Sequence, residues 1–154
     1  MRQADRSGLN AQRKAAMAVM AHAPAAELAR LWAAAEPDIT SETVRGPETG
    51  LVMVRGRIGG GGDAFNLGEA TVTRATVRLG TGEIGHSYAL GRDGDKAVLA
   101  ATIDAVLQRP GDAAEIEARV LAPLRVALDE ARERQRAETA ATKVEFFTMV
   151  RGED

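Results

Sequence analysis

No cysteine occurs in the 154 residues, which excludes disulfides, thiolate catalysis and cysteine-held zinc or iron–sulfur centres. Aromatic residues make up 3% of the chain, as three Phe, one Trp and one Tyr. The core must therefore be built from Ala, Val, Leu, Ile and Met, without the large contact areas that aromatic rings supply. An excess of one charge is also missing. Twenty basic residues against 22 acidic ones leave a formal charge of −2, which argues against a non-specific nucleic-acid or membrane binder. No stretch approaches the ~20 apolar residues needed to span a bilayer. The N-terminal MRQADRSGLNAQRK has no apolar core of signal-peptide length. These absences lead to the expectation of a cytoplasmic protein.

What is present is one domain's worth of chain, read as a single domain over residues 1–154. Hydrophobic residues at 45% and charged residues at 27% are ordinary for a soluble globular protein. The expected fold is α+β: N-terminal helices, a small antiparallel sheet in a meander of three or four strands, and C-terminal helices with an apolar tail. Ala11 to Ala35 reads as helical, with Met17, Met20, Leu28, Leu31 and Trp32 among alanines. Pro24 divides it in two, and Glu36-Pro37-Asp38 closes it. Ile39–Arg45 and Gly50–Ile58 are expected as two strands, Ala70–Leu79 as the next, and Glu83–Leu90 as the return after a turn at Thr81-Gly82. Asp95 is the expected N-cap of a helix over Lys96–Arg109 that Pro110-Gly111 stops. Asp112 with Glu115 resembles a capping box opening a last helical region, kinked or restarted at Pro123 and continuing to about Ala141. Its end, Asp129–Glu138, alternates in charge and reads as a solvated face. The tail Lys143–Asp154 then gathers Val144, Phe146, Phe147, Met149 and Val150, an apolar set that has to dock on something.

Self-sufficient catalytic constellations are not legible. The two histidines, His22 and His86, stand at no metal-ligand spacing from each other or from Asp or Glu. Ser87 adjoins His86 and so falls on the opposite face of its strand. Glu48 with Glu69 is a carboxylate pair that only folding could bring together. The most specific stretch is Arg45–Leu79, an arginine-dotted β pattern around Gly59, Gly60, Gly61 and Gly62. A glycine run can turn its backbone N–H groups toward an anion. This one is neither a Walker A loop nor a dinucleotide fingerprint, because no Lys-Ser/Thr and no helix follows it. Arg55 and Arg57 share one strand face, and Arg74 and Arg78 share another. If those strands pair through the glycine loop, four guanidiniums could share a sheet face. That face is open to three readings: a solvated one neutralised by Glu48, Glu69 and Glu83, an anion site, or a charged docking surface.

The stretch PETGLVMVRGRIGGGGDAFNLGEATVTRATVRL, followed by GRD at 91–93 and FFTMVRG at 146–152, resembles the PhnG family of the bacterial phosphonate carbon–phosphorus lyase system. The resemblance covers most of the chain and implies a subunit instead of a lone enzyme. Its implied partners are PhnH, PhnI and PhnJ of the core complex, with PhnI as the direct contact and PhnL as a functional partner. The implied role is to support displacement of adenine from ATP by an alkylphosphonate, giving α-D-ribose 1-methylphosphonate 5-triphosphate from methylphosphonate. In that system the nucleosidase chemistry resides in PhnI and the iron–sulfur radical chemistry in PhnJ. A chain without cysteine fits that division. The resemblance supplies no catalytic residue. The expectation is therefore an accessory subunit that binds no cofactor or metal itself, with ATP as a substrate of the assembly. Phe146, Phe147 and Met149 are the expected docking residues. Arg55, Arg57, Arg74, Arg78 and Gly59–Gly62 are the expected anion- or partner-binding set. The competing expectations are an enzyme subunit that binds nucleotide or phosphonate directly through that set, and a self-contained homo-oligomer that binds a phosphate ester.

Overall fold

The computed structural model describes residues 2–35, 37–57 and 62–142. The tail at 143–154, with Phe146, Phe147 and Met149, and residues Gly59, Gly60 and Gly61 of the glycine run lie outside the described residues. Two helices, three strands and a further helical series follow one another: α1 (Arg2–His22), α2 (Ala25–Ala35), β1 (Ser41–Gly56), β2 (Phe65–Leu79), β3 (Ile84–Leu90), α3 (Gly94–Val106), α4 (Pro110–Ile116) and α5 (Ala122–Ala141). The strands form an antiparallel meander in the order β1-β2-β3. This is the α+β arrangement expected from the pattern.

Pro24 stands at the junction of the first two helices, and its carbonyl accepts the Leu28 N–H at 3.0 Å. It can open a helix because the proline nitrogen has no proton that would go unpaired there. The two strands expected over 39–58 are one. Register shifts between Thr43 and Arg45 and between Arg45 and Glu48 absorb Gly46-Pro47 as bulges, so pairing with β2 continues through them. Gly46 takes φ +84°, where a Cβ would approach the Arg74 carbonyl to 2.7 Å, so glycine is required at this bend.

The N-cap of α3 is Asp93 and not Asp95. Asp93 is extended (φ −82°, ψ 98°), and its carboxylate accepts the Lys96 N–H at 2.8 Å, whereas Asp95 already lies in the first turn. The box expected at Asp112 is likewise replaced. Pro110 is in the first turn of α4, Arg109 is the cap residue, and Asp112 pairs with Arg109 at 2.8 Å. Ahead of Pro123 the helix widens into a π turn, Glu117–Leu121. Pro123 has no N–H for the carbonyl four residues back, and a wider turn makes room for its ring.

The helices cover one face of the sheet. Ala97 and Ala101 of α3 pack on Ala75 and Val77 of β2. Met20, Leu28, Ile103, Val106, Val120, Leu121 and Leu124 form a larger core between helices. Small residues set the spacing between layers. At Gly85 of β3 an added Cβ would lie 1.9 Å from the Ala101 carbonyl oxygen, so α3 rests directly on strand backbone. Polar ties close the chain's early part on its later part. Arg13 donates to both carboxylate oxygens of Asp104 (3.0 and 2.7 Å), and the Lys96 ammonium donates to the Ala21 carbonyl at 2.8 Å. Arg119 of the π turn donates to the Ala35 carbonyl at 3.1 Å and also to that of Ala34.

Candidate functional site: an open sheet face and a projecting hairpin

Strand alternation sends Thr73, Ala75, Val77 and Leu79 of β2 toward the helices, where they are buried. Arg74, Thr76 and Arg78 go to the opposite face, which no helix among the described residues covers. There the register sets Glu48 and Tyr88 on either side of Arg74, Arg45 and His86 on either side of Thr76, and Glu42 and Ile84 on either side of Arg78. The face thus has a row of acids and an arginine on β1, arginines on β2, and Ile84, Tyr88 and Leu90 on β3, all three well exposed.

Its arginines are already engaged. Glu48 accepts from Arg45 Nε at 3.1 Å and from Arg74 Nη2 at 2.8 Å. These two bonds, Arg45's first, hold its carboxyl below the usual carboxylate range. Arg78 donates to Glu42 through Nε at 2.7 Å. Between Glu48, Gly50, Leu51, Val72, Arg74 and Tyr88 the face sinks into a shallow depression of about 180 Å³.

Beyond β3 the first two strands run on alone as a two-stranded arm. Pairing with β3 stops at Val72–Leu90, while β1 and β2 stay paired out to Gly56–Phe65. The arm exposes Leu51, Met53, Val54, Phe65 and Leu67, with Leu51 and Leu67 both 62% exposed. Arg55 lies near its end and donates to the Ala64 carbonyl at 3.3 Å. Arg57 is exposed just past β1, and Gly62 is exposed in the loop.

The four arginines are not gathered on one face. Arg55 falls by alternation with Leu51 and Met53, at a point where the register slips between Val54 and Arg55. It stands seven residues along β1 from Glu48, the partner of Arg74, or roughly 23 Å. Glu69 pairs opposite Met53 and falls on the face away from Glu48. His86 meets the Thr76 hydroxyl at 3.1 Å, and Ser87 donates to the Ala97 carbonyl at 2.6 Å on the buried side. His22 contacts the Ala18 carbonyl within its own helix. No group of three His, Asp or Glu placed to hold a metal occurs among the described residues.

Sequence reasoning did not identify two acids. Glu42 had no distinguishing mark. Asp104 had one, as an acid inside the apolar run ATIDAVL, and it is fully buried, accepting from Arg13 and from the His86 N–H at 2.9 Å. A second concavity of about 400 Å³ lies beside it among the helices, lined by Gln12, Arg13, Leu107, Ala114, Glu117 and Arg125. Both of its arginines are paired, Arg13 with Asp104 and Arg125 with Glu117 at 3.0 Å.

Comparison with known proteins bears on this ensemble of a charged open face, an apolar arm and paired arginines. Residues 11–152 match the family described as "Phosphonate metabolism protein PhnG". A protein of Rhizobium meliloti (strain 1021) named "Alpha-D-ribose 1-methylphosphonate 5-triphosphate synthase subunit PhnG" is 55% identical over 144 residues, covering 94% of this chain and 92% of its own. On the strength of matches running nearly end to end, the chain belongs to the PhnG family.

Proposed function

We propose that this chain is an accessory subunit of an α-D-ribose 1-methylphosphonate 5-triphosphate synthase in organic phosphonate catabolism. The 55% identity over almost the whole length to a protein named as that subunit carries the reading. The open face and the arm support it, because each offers more area for a neighbouring chain than for a small substrate. In this reading PhnH, PhnI and PhnJ are the neighbours, PhnI is the direct contact, and PhnL is required functionally. The chain holds no cofactor, ATP is a substrate of the assembly, and the assembly works in the cytoplasm.

Arg55, Arg57, Arg74 and Arg78 then serve a protein interface. Two facts favour that over a ligand site: Arg74 and Arg78 are neutralised by Glu48 and Glu42, and Arg55 is remote from both. Phe146, Phe147 and Met149 dock in a partner. Reconstitution tests the proposal. With ATP and methylphosphonate, PhnH, PhnI and PhnL are expected to make the ribosyl triphosphate only when this chain is added, and the chain alone to make none. Undiminished product without the chain would overturn the reading. So would tight, salt-sensitive ATP binding by the isolated chain that Arg55→Ala or Arg74→Ala abolishes, which would favour a direct nucleotide-binding subunit.

A further inference from the structure

The depression in the open face has a cause in the register. Gly50, Val72 and Leu90 form one row across the three strands, next to the row of Glu48, Arg74 and Tyr88. A Cβ placed on Gly50 would meet nothing within 4 Å. Unlike Gly46, Gly50 has no positive φ, so the backbone does not require glycine there. What the glycine leaves is space. Val72 floors it, only 6% exposed although no helix among the described residues covers this face. Charge beside the hollow is unbalanced. Arg45 Nε donates to one oxygen of Glu48, and Nε and Nη2 of Arg74 donate to the other. Two guanidiniums against one carboxylate leave one positive charge. The Nη groups of Arg45 and Nη1 of Arg74 donate to no described residue.

Size and charge together define the occupant. At about 180 Å³ the hollow is smaller than the roughly 300–1,000 Å³ of small-molecule sites, so it takes one side chain and not a nucleotide. Its apolar floor suits a short aliphatic stem. Its surplus charge suits a carboxylate at the end of that stem, and Tyr88 on the rim adds a hydroxyl donor. We infer that the hollow is the socket for an acidic side chain, glutamate or aspartate, of a neighbouring subunit. The inference rests on the reading of this chain as a synthase subunit and names the chemistry by which its open face recognises a neighbour. A lysine or arginine would meet the surplus positive charge, and an apolar side chain would leave it unanswered.

Titrated capture of the full chain by co-expressed PhnH, PhnI and PhnJ tests this. Gly50→Leu fills the hollow and Arg74→Ala removes its cation, and each is expected to weaken capture at least about tenfold. Glu48→Gln separates a socket from a scaffold. Glu48 competes for the same guanidiniums and repels a second carboxylate, so neutralising it should tighten capture roughly threefold. A misfolded variant could not gain affinity, and a merely structural Glu48 would make the same change weaken it. Normal capture by all three variants, or weaker capture by Glu48→Gln, overturns the socket while leaving the subunit reading intact. A wild type that is not captured overturns both. Calorimetric titration of the isolated chain with inorganic phosphate and with methylphosphonate is expected to show no saturation. Saturable binding that Gly50→Leu abolishes would assign the hollow to a free oxyanion and overturn the inference.

Discussion

Removing the Arg13 side chain would leave Asp104 as a fully buried carboxylate holding only the His86 N–H. Truncating one partner of such a pair strands an uncompensated charge, typically at about 3–5 kcal/mol. Arg13 is itself partly exposed, with 22% of its side chain accessible, so the lower end applies. Arg13→Ala is expected to destabilise the fold by about 3 kcal/mol in urea unfolding. The double change Arg13→Ala with Asp104→Ala should cost less than the sum of the single ones. Additivity would mean that the two residues do not act as a pair. The surface pairs Arg74–Glu48 and Arg78–Glu42 are each roughly half exposed and contribute little to stability. At this scale the sequence revealed the types of residue but not their partners. Asp104 is conspicuous within ATIDAVL, yet nothing local points to Arg13, 91 positions away. The arginines of β2 were legible as one face. Their neutralisation by Glu42 and Glu48 depends on the register with β1, which the bulges at Gly46-Pro47 set.

Among the elements, the seating of α3 on the sheet depends on Gly85. A methyl group there would meet the Ala101 carbonyl at 1.9 Å and the Ala105 nitrogen at 2.5 Å, both helix backbone that cannot swing aside. Gly85→Ala should therefore lift α3 from β3 and lower stability by about 1–3 kcal/mol. Gly62→Ala, at an exposed loop position, should change stability by less than about 1 kcal/mol. Equal thermal shifts for the two would contradict the packing argument. Element types followed well from periodicity, because the alternation in TVTRATVRL and the apolar spacing of α2 are strong local signals. Boundaries followed less well. The helix start moved from Asp95 to Asp93 because capping depends on which aspartate is extended, a property of the loop's path from β3. The strands expected over 39–58 merged because a bulge lets Gly46-Pro47 stay inside a ladder that those residues usually end.

For the molecule as a whole, the proposed docking of the apolar tail makes a separable prediction. Deleting Val144–Asp154 should abolish co-purification with PhnI while leaving helix content by circular dichroism nearly unchanged, since α5 already ends at Ala141. Pull-down of PhnI at normal yield by the truncated chain would refute tail docking. Assembly was the least legible level: residue pattern and family resemblance gave the kind of partner, but faces and edges exist only after folding. The ties between α1–α2 and the later helices have a further consequence, for synthesis. Arg13 reaches Asp104, Lys96 reaches back to the Ala21 carbonyl, and Arg119 to that of Ala35, spans of 91, 75 and 84 residues. A nascent chain emerging from the ribosome therefore carries its first two helices without these anchors until α3 and the π turn have followed. Their alanine-rich apolar faces wait in the open for most of translation, and the hairpin is made before the helices that will cover it.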